Sequence, residues 1–374
     1  MIKKNKKIKT IILIVLLIAL FFIIGLNIIS ISDFKNSQNE KQIKIGAILP
    51  LTGFAAARGV ETQQGIEIAI EEFNNKGNLQ AEIIYGDSSA DAGKAVIEAN
   101  KLINIDKVKA IIGPLASSPA IAVSEIAQNN KIIMITPIAN HPAITKNKYY
   151  VFRTIMTSDQ EGKAILKLIR GQNKKEVAII SLNNDYGEAI LKVLEKSKTI
   201  KIISEEKYNL GEKDFKSILT KVKSLNPEII ILIGYSEVGT ILKQAKGLGI
   251  GCLFISGAPF EGEDTLKNAE GSAEEVLYVF HKTTQSKESY FYTNYLKKYE
   301  KQPSIYSIFA YDSTKLLLET IKKNKNNTQI KDYLLKNIFM GEGRQIKFNN
   351  NGDLENPETV VKIVKQGKFI LYNQ

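Results

Sequence analysis

Short polar turns follow the apolar runs of this sequence and carry the side chains best suited to contact another molecule. They are rich in Ser, Asn, Tyr and Gly, and they contain neither His nor Cys. Hydroxyls, amides, free main-chain N–H groups and aromatic faces bind small polar molecules well, whereas covalent catalysis requires a nucleophile with a base beside it. The turns therefore predict non-covalent binding of a small polar molecule. They are residues 50–53, 113–118, 136–140, 183–187, 234–237 and 256–261.

The composition offers little material for other chemistry. The chain contains two histidines, His141 and His281, and one cysteine, Cys252. A histidine-based triad, a zinc site and an internal disulfide are therefore not expected. Of the formal net charge of +12, +4 lies in the first 40 residues and the rest is spread over predicted helix faces. No Lys/Arg-rich run is interleaved with aromatic residues as a nucleic-acid surface requires. We expect neither an enzyme nor a nucleic-acid-binding protein, and no metal or cofactor.

The N-terminus predicts export. Residues 1–9 are rich in lysine, and residues 11–32 are apolar except for three polar residues. This length nearly spans a bilayer, and the preceding lysines keep that end in the cytoplasm. Residues 1–32 are therefore predicted to form a signal-anchor or transmembrane helix, followed by a polar linker over residues 33–42, with the rest of the chain outside the cytoplasm. A cleaved signal peptide, which would leave a secreted or periplasmic protein, is the alternative.

The elements that must position the polar turns are strands and helices in alternation. Apolar runs without polar alternation are typical of strands covered on both faces, and between them lie segments of helical periodicity. This order indicates parallel sheets with helices on both sides, and nine runs exceed one comfortable sheet, so two α/β lobes are expected. Such sheets bind ligands beyond the carboxyl ends of their strands, where the polar turns lie. The runs are residues 43–49, 81–85, 108–112, 132–135, 177–182, 200–204, 229–233, 253–255 and 276–280.

Several segments resemble the branched-chain amino-acid (Leu/Ile/Val) binding proteins of ABC transporters, a type I periplasmic binding protein family. The opening strand and turn read IGAILPLTG, and the third strand and turn read IGPLASS. Each motif is weak alone, but their order and spacing over roughly residues 43–372 are specific. The segments are residues 45–53, 64–69, 112–118, 134–137, 185–187, 213–215 and 311–312.

The resemblance implies an α/β fold of two doubly wound parallel-sheet lobes joined by three crossovers, preceded here by the N-terminal hydrophobic helix. The crossovers are expected near residues 155–159, 281–284 and 340–344. The first lobe would then comprise residues 43–156 and 283–341. The second would comprise residues 157–282 and 342–374.

The resemblance also implies ligand contacts in the first lobe. Ser117 and Ser118 open a helix, and a helix N-terminus suits a carboxylate, although one serine acting only as the helix cap is the plain alternative. Ile138 is expected to offer its main-chain carbonyl to the ligand's amino-acid head. Asn140 stands where the family has Thr or Ser, and it is either an amide donor to the same head or an ordinary turn residue.

Further contacts are implied around the cleft mouth and in the second lobe. Tyr186 and Tyr235 are expected to close over the ligand, with packing or surface roles as the alternatives. Arg58 stands where relatives often carry an aromatic residue, and it either pairs with a second acidic group of the ligand or is solvated. Relatives that hold an α-amino acid carry an acid near Ala258, so Glu261 is the candidate partner for an ammonium group. Without that partner, the ligand is not expected to be an α-amino acid.

Two functions remain open at this point. The first is the capture of an amino acid or similar small polar molecule for an ABC importer, with a permease in the membrane as partner. The second is a membrane-tethered sensing or regulatory module with the same fold. A transcription regulator with these lobes would begin with a DNA-binding helix-turn-helix, whereas this chain begins with an apolar segment.

Overall fold

The computed structural model describes residues 42–372 except Asn78 and Gln285. The predicted hydrophobic helix over residues 1–32 and nearly all of the linker over residues 33–42 lie outside these described residues. Within the described part of the chain, none of the helices combines the length and the apolar character that crossing a membrane requires.

Strands and helices alternate through most of the described chain, as the apolar periodicity predicts. The strands are β1 (Gln42–Leu49), β2 (Gln80–Asp87), β3 (Ala110–Ile112), β4 (Ile133–Thr136), β5 (Val151–Arg153), β6 (Glu176–Leu182), β7 (Lys201–Tyr208), β8 (Ile229–Ile233), β9 (Leu253–Ser256), β10 (Leu277–His281), β11 (Phe339–Met340), β12 (Gln345–Ile346), β13 (Thr359–Lys365) and β14 (Lys368–Leu371). The helices are α1 (Ala56–Asn75), α2 (Ala92–Asn104), α3 (Ser117–Asn129), α4 (Ser158–Gly171), α5 (Asp185–Glu195), α6 (Lys216–Ser224), α7 (Glu237–Gly247), α8 (Glu263–Ala269), α9 (Tyr290–Tyr299), α10 (Ile305–Lys323) and α11 (Asn327–Lys336).

The first sheet is parallel throughout and lies between two helix layers. Its strand order is β2-β1-β3-β4-β5. Apolar residues of α1, α10 and α11 cover one face, and those of α2 and α3 cover the other. We call this sheet and its helices the first lobe.

The second sheet has seven strands in the order β14-β13-β10-β9-β8-β6-β7. Strand β13 is antiparallel to both of its neighbours, and the remaining pairs are parallel. Helices α4 and α5 pack on one face, and α6, α7 and α8 pack on the other. We call this sheet and its helices the second lobe.

Local sequence explains why key elements form where they do. Strand β8 is an uninterrupted run of Ile and Leu whose residues are all buried, because helices cover both faces of its sheet. Helix α4 begins with a capping box: the Thr157 hydroxyl accepts from the Gln160 amide N–H, and the Gln160 side-chain oxygen accepts from the Thr157 amide N–H. This cap fixes the start of α4 and the position of Glu161 in its first turn.

The chain passes between the lobes after β5, after β10 and again before β13. The short hairpin of β11 and β12 precedes the third passage. Ile346, Phe348 and Leu354 are buried in the core of the first lobe. The third passage therefore follows residue 354 and does not lie near residues 340–344, because the segment expected to join the second lobe supplies core side chains to the first.

Candidate ligand-binding cleft

A cleft with about 860 Å³ of open space lies between the two lobes. Its walls include loops at the carboxyl ends of parallel strands, where such sheets bind ligands. The first lobe contributes Pro50 after β1, Ser117 after β3 and Asn140 after β4. The second lobe contributes Tyr186 after β6 and Tyr235 after β8. Each polar turn singled out in the sequence supplies at least one lining residue.

The N-terminus of α3 faces the cleft. Ser117, the first residue of the helix, is buried and lines the cleft, whereas Ser118 is not among the lining residues. The N-cap residue is Ala116, and no side chain caps the helix. The first amide groups of α3 therefore have no side-chain partner, and with the helix dipole they suit an anion such as a carboxylate.

Ile138 and Asn140 reach the cleft from the loop after β4. The buried Asn140 donates a hydrogen bond from Nδ2 to Oε2 of Glu161 at 2.6 Å. When Glu161 is ionised, this contact fixes the amide's orientation, because an amide oxygen facing a carboxylate finds no donor there. Asn140 Oδ1 is left buried without a hydrogen-bond partner among the described residues. The loop thus presents an acceptor to the cleft, where the sequence suggested a donor.

Three aromatic rings form a row across the cleft. Phe54 of the first lobe stacks on Tyr235 of the second at a centroid distance of 6.2 Å. Tyr235 stacks in turn on Tyr186 at 5.7 Å. The Tyr186 hydroxyl donates to Glu161 Oε1 at 3.0 Å. The predicted tyrosines therefore lie together in the wall of the cleft.

Arg58 is buried rather than solvated, since it is only 8% exposed. Its Nη2 donates to the Pro259 carbonyl at 3.2 Å and lies 3.5 Å from Oδ2 of Asp264, both in the second lobe. Its guanidinium also lies over the rings of Tyr235 and Tyr306. The charge of Arg58 is thus already paired with the carboxylate of Asp264 in the second lobe.

The structure does not bring Glu261 to the cleft. Its Oε2 accepts hydrogen bonds from the Tyr278 hydroxyl at 2.6 Å and from Lys362 at 2.5 Å, and Glu261 is not among the lining residues. Ala258 does line the cleft, and its main-chain amide donates to Glu161 Oε1 at 2.7 Å. The carboxylate near Ala258 is therefore that of Glu161.

Glu161 is the functional candidate that the sequence did not single out. It is 0% exposed, and no cation forms a salt bridge with it within the part of the chain that the structure describes. Burial raises the pKa of the Glu161 carboxyl to about 7, although hydrogen bonds from Ala258, Tyr186 and Asn140 favour its ionised form. A carboxyl that titrates near neutrality inside a cleft is a candidate for a functional role.

Helical periodicity is the signal that could have identified Glu161. Ile165 and Leu168 follow it at i+4 and i+7, and both are buried, so the glutamate lies on the apolar face of α4. An acid in the first turn of a helix is usually explained by the helix dipole alone. That explanation assumes an exposed side chain, whereas the side chain of Glu161 is buried.

The remaining wall of the cleft is largely apolar. Leu115, Ile155, Ile305 and Phe309 line it and can enclose a hydrophobic side chain. His281 also lines the cleft; burial, together with the charge of Arg344, lowers the pKa of the imidazole to about 3. A neutral imidazole with its Nε2 unpartnered adds a further polar atom to this wall.

Comparisons with known proteins agree with this architecture. The sequence profile described as "Periplasmic binding protein" matches residues 42–332. The leucine-, isoleucine-, valine-, threonine- and alanine-binding protein of Pseudomonas aeruginosa is 29% identical over 327 residues, which cover 84% of this chain and 87% of that protein.

Solved structures give the same result. The branched-chain amino acid transporter substrate-binding protein LivJ of Streptococcus pneumoniae, in complex with isoleucine, is 29% identical with a TM-score of 0.82 and covers 88% of this chain and 98% of its own. A Rhodopseudomonas palustris ABC transporter solute-binding protein, in complex with 3,4-dihydroxybenzoic acid, shares the fold at 21% identity with a TM-score of 0.80, covering 88% and 95% of the two chains. This chain belongs to the periplasmic binding protein family, whose members are extracytoplasmic solute-binding proteins of ABC transporters and not enzymes.

Proposed function

We propose that the protein captures an amino acid with an apolar side chain in the interlobe cleft and presents it to an ABC permease. The observation that carries this proposal is the combination, in one cleft, of an uncapped helix N-terminus with apolar and aromatic walls. The first can hold a carboxylate and the second can enclose an apolar side chain. The named ligands of the Pseudomonas and Streptococcus relatives, which include isoleucine, support the same class.

Within this proposal the site residues have separate roles. Ser117 and the first amides of α3 bind the carboxylate, and the loop carrying Ile138 and Asn140 contacts the ligand's head group. Tyr186 and Tyr235 cover the ligand from the second lobe. Neither Ser118 nor Glu261 is included, because neither lines the cleft.

A thermal-shift screen followed by isothermal titration calorimetry tests this function. The panel contains the common amino acids, amides and short aromatic and aliphatic acids. A true ligand at about 100 times its dissociation constant stabilises the protein by about 2.7 kcal/mol, so Tm should rise by several degrees. Binding of sugars in place of any of these compounds would contradict the proposal.

We also propose that the lobes move as two bodies about the three passages of the chain. The first lobe comprises residues 43–156 and 283–354, and the second comprises residues 157–282 and 355–372. The packing of Ile346, Phe348 and Leu354 in the first core supports the boundary after residue 354. Closure of the two lobes around a solute is a hinge motion.

The N-terminus is proposed to tether the protein to the outer face of the cell membrane through residues 1–32. The lysine-rich start and the apolar run that follows support an anchor that remains attached. Intact-mass analysis of protein extracted from membranes tests this proposal. A mature chain that begins after about residue 30 would show a cleaved signal peptide instead and would leave export unaffected.

A further inference from the structure

The carboxyl group of Glu161 lacks a counter-charge when it is ionised. Its hydrogen-bond partners are the Asn140 amide, the Tyr186 hydroxyl and the Ala258 main-chain N–H, and all are neutral. A buried carboxylate without a cationic partner is costly. A ligand that brings a positive charge to this point would remove that cost.

Two acceptor sites beside this carboxylate are unoccupied. A carboxylate has about four lone-pair positions. Oε1 of Glu161 accepts two hydrogen bonds, and Oε2 accepts one, from Asn140 Nδ2. One position on Oε2 is therefore free, and the neighbouring Asn140 Oδ1 is buried without a partner. Both residues line the cleft, so the pair is suited to a group with several N–H donors.

The other charged residue that lines the cleft, Arg58, is already paired. Glu161 is the only acidic residue among the described residues that line the cleft, and Arg58 is the only Lys or Arg. The charge of Arg58 is met by Asp264, and the nearby Glu261 is paired with Lys362. Among the described residues that line the cleft, the unmatched charge is that of Glu161 in its ionised form.

The loop opposite Glu161 leaves room for its carboxylate. A Cβ atom at Gly257 would lie 2.3 Å from Oε1 of Glu161 and 2.7 Å from the Tyr186 hydroxyl, so a larger residue would displace the carboxylate. Ala258 follows and contributes only its main-chain N–H. Because Gly257 and Ala258 are small, the side chain of Glu161 on α4 can occupy space that a larger side chain of this loop would otherwise fill.

We propose that Glu161 and Asn140 Oδ1 form the binding site for a protonated amine of the ligand. Together with the N-terminus of α3 at Ser117, this site selects solutes that carry an ammonium group and a carboxylate, namely α-amino acids. The inference rests on the proposed function, because it names the ligand class of the same cleft. The structure thus assigns the ammonium to a residue of α4 and not to the loop of Ala258 and Glu261.

Calorimetry with matched ligand pairs tests the proposal. The probes are leucine and phenylalanine with their deaminated analogues, 4-methylpentanoate and 3-phenylpropanoate. The wild-type protein should bind at least one amino acid at least tenfold more tightly than its analogue. Glu161→Gln should weaken that amino acid by about thirtyfold or more and the analogue by less than about threefold. The control Glu261→Gln, outside the cleft, should retain the wild-type affinity.

The pH dependence of wild-type affinity is a second measurement that needs no variant. The association constant for the amino acid should rise by up to tenfold per pH unit from pH 5 to about 7 and then level off, whereas that of the analogue should not rise. The groups facing Glu161, namely Tyr186, the Asn140 amide and the Ala258 N–H, do not ionise in this window. The pKa of Tyr186 is raised well above 10 by burial and by Glu161 itself.

The other titratable side chains that line the cleft do not change their charge between pH 5 and 7. Burial lowers the pKa of His281 to about 3 and raises that of Tyr306 to about 12, and burial also raises the pKa of Tyr235 above its ordinary value. His141, which follows Asn140, does not line the cleft, and burial lowers its pKa from the ordinary value. Arg58 stays protonated throughout.

Three results would overturn the inference. They are unchanged amino-acid affinity in Glu161→Gln, tighter binding of the deaminated analogue by the wild type, and an affinity independent of pH between 5 and 8. The first and third results leave the capture of an amino acid in this cleft, and so the proposed function, in place. The second would also change the ligand of the proposed function from an amino acid to a simple carboxylic acid. A wild-type protein that binds neither amino acids nor acids would instead contradict both proposals.

Discussion

The carboxyl group of Glu161 accepts hydrogen bonds from residues of both lobes. Asn140 belongs to the first lobe, whereas Tyr186 and Ala258 belong to the second. The hydrogen bond between Asn140 and Glu161 therefore crosses the cleft. Any change in the ionisation of this residue affects both the stability of the protein and the contact between its lobes.

Removing the charge of Glu161 should change the pH dependence of stability. Its pKa is about 7 in the folded protein because of burial, against 4.5 without burial. The stabilisation linked to its proton is full below pH 4.5 and is lost as the pH rises through about 7, a loss of about 3 kcal/mol. In ligand-free protein, Glu161→Gln should therefore be more stable than the wild type at pH 8 by up to this amount, with the difference shrinking toward pH 5.

Urea unfolding at several pH values measures this effect. The Asn140 amide can turn over so that its oxygen accepts from the new Gln amide, and hydrogen bonding then survives the change. Parallel stability curves for the variant and the wild type between pH 5 and 8 would show that Glu161 does not hold a proton near neutrality.

Ser117→Ala should weaken carboxylate binding without unfolding the protein. It removes a hydrogen bond to a charged group, worth about 1.5–3 kcal/mol, so the dissociation constant for leucine should rise by about tenfold or more. Leucinamide, which lacks the carboxylate, should be affected less. The neighbouring Ser118 is half-buried and does not line the cleft, so Ser118→Ala is the matched control. Equal losses in the two variants would mean that Ser117 does not contact the carboxylate.

Most of the cleft could be predicted from the sequence, because the residues that line it lie in turns that follow strands. Ser117, Asn140 and Tyr186 all follow predicted apolar runs and line the cleft. Glu161 was not predicted to lie there, because an acid in the first turn of a helix is ordinarily explained by the helix dipole. Glu261 was predicted to lie in the cleft, because nothing in the neighbouring sequence shows that its carboxylate pairs with Lys362, about 100 residues further along the chain.

At the scale of elements, α4 and the loop after β9 fit each other closely. The backbone of Gly257 has a φ of −93°, which any residue adopts, so a larger residue at this position is opposed only by contact with neighbouring atoms. Its missing Cβ leaves the space that Glu161 Oε1 occupies. This arrangement predicts that the two positions are energetically coupled.

A double-mutant cycle measures that coupling. Gly257→Ala should lower stability by about 1–3 kcal/mol, the usual cost of overpacking, and should lower leucine affinity. In a Glu161→Ala background, the stability cost should be smaller because the carboxylate is absent, although the Tyr186 hydroxyl is still close. Costs that add within about 0.5 kcal/mol would indicate no coupling.

The secondary structure was predictable where side chains are uniformly apolar. Every predicted run overlaps an observed strand, and β8 has the predicted bounds. Strand β5 was not predicted because it is three residues long and ends in Arg153, a buried cation whose partner is Asp353. That partner also explains why the third passage occurs later than predicted, since the segment around it packs with the first lobe.

At the scale of the whole molecule, several contacts between described residues join the lobes across the cleft. They include the stacking of Phe54 on Tyr235, the hydrogen bond from Asn140 to Glu161, and the contacts of Arg58 with Pro259 and Asp264. The ion pair is partly exposed, so its contribution is modest. Each contact joins groups of the two lobes, so separating the lobes would break it, and together these contacts favour the closed form before any solute binds.

Weakening one of these contacts should shift the protein toward the open form. Asp264→Asn removes the counter-charge of Arg58 and leaves the cleft lining intact, because Asp264 does not line it. Small-angle X-ray scattering should then show a larger radius of gyration without ligand, and the wild-type value again with saturating leucine. The apparent affinity should fall in proportion to the lost closed population, by a factor of a few.

The control is Glu270→Gln, which breaks the exposed pair with Lys243 inside the second lobe and should change neither the radius of gyration nor the affinity. An identical radius of gyration with and without saturating leucine in both the wild type and Asp264→Asn would contradict capture by hinge closure.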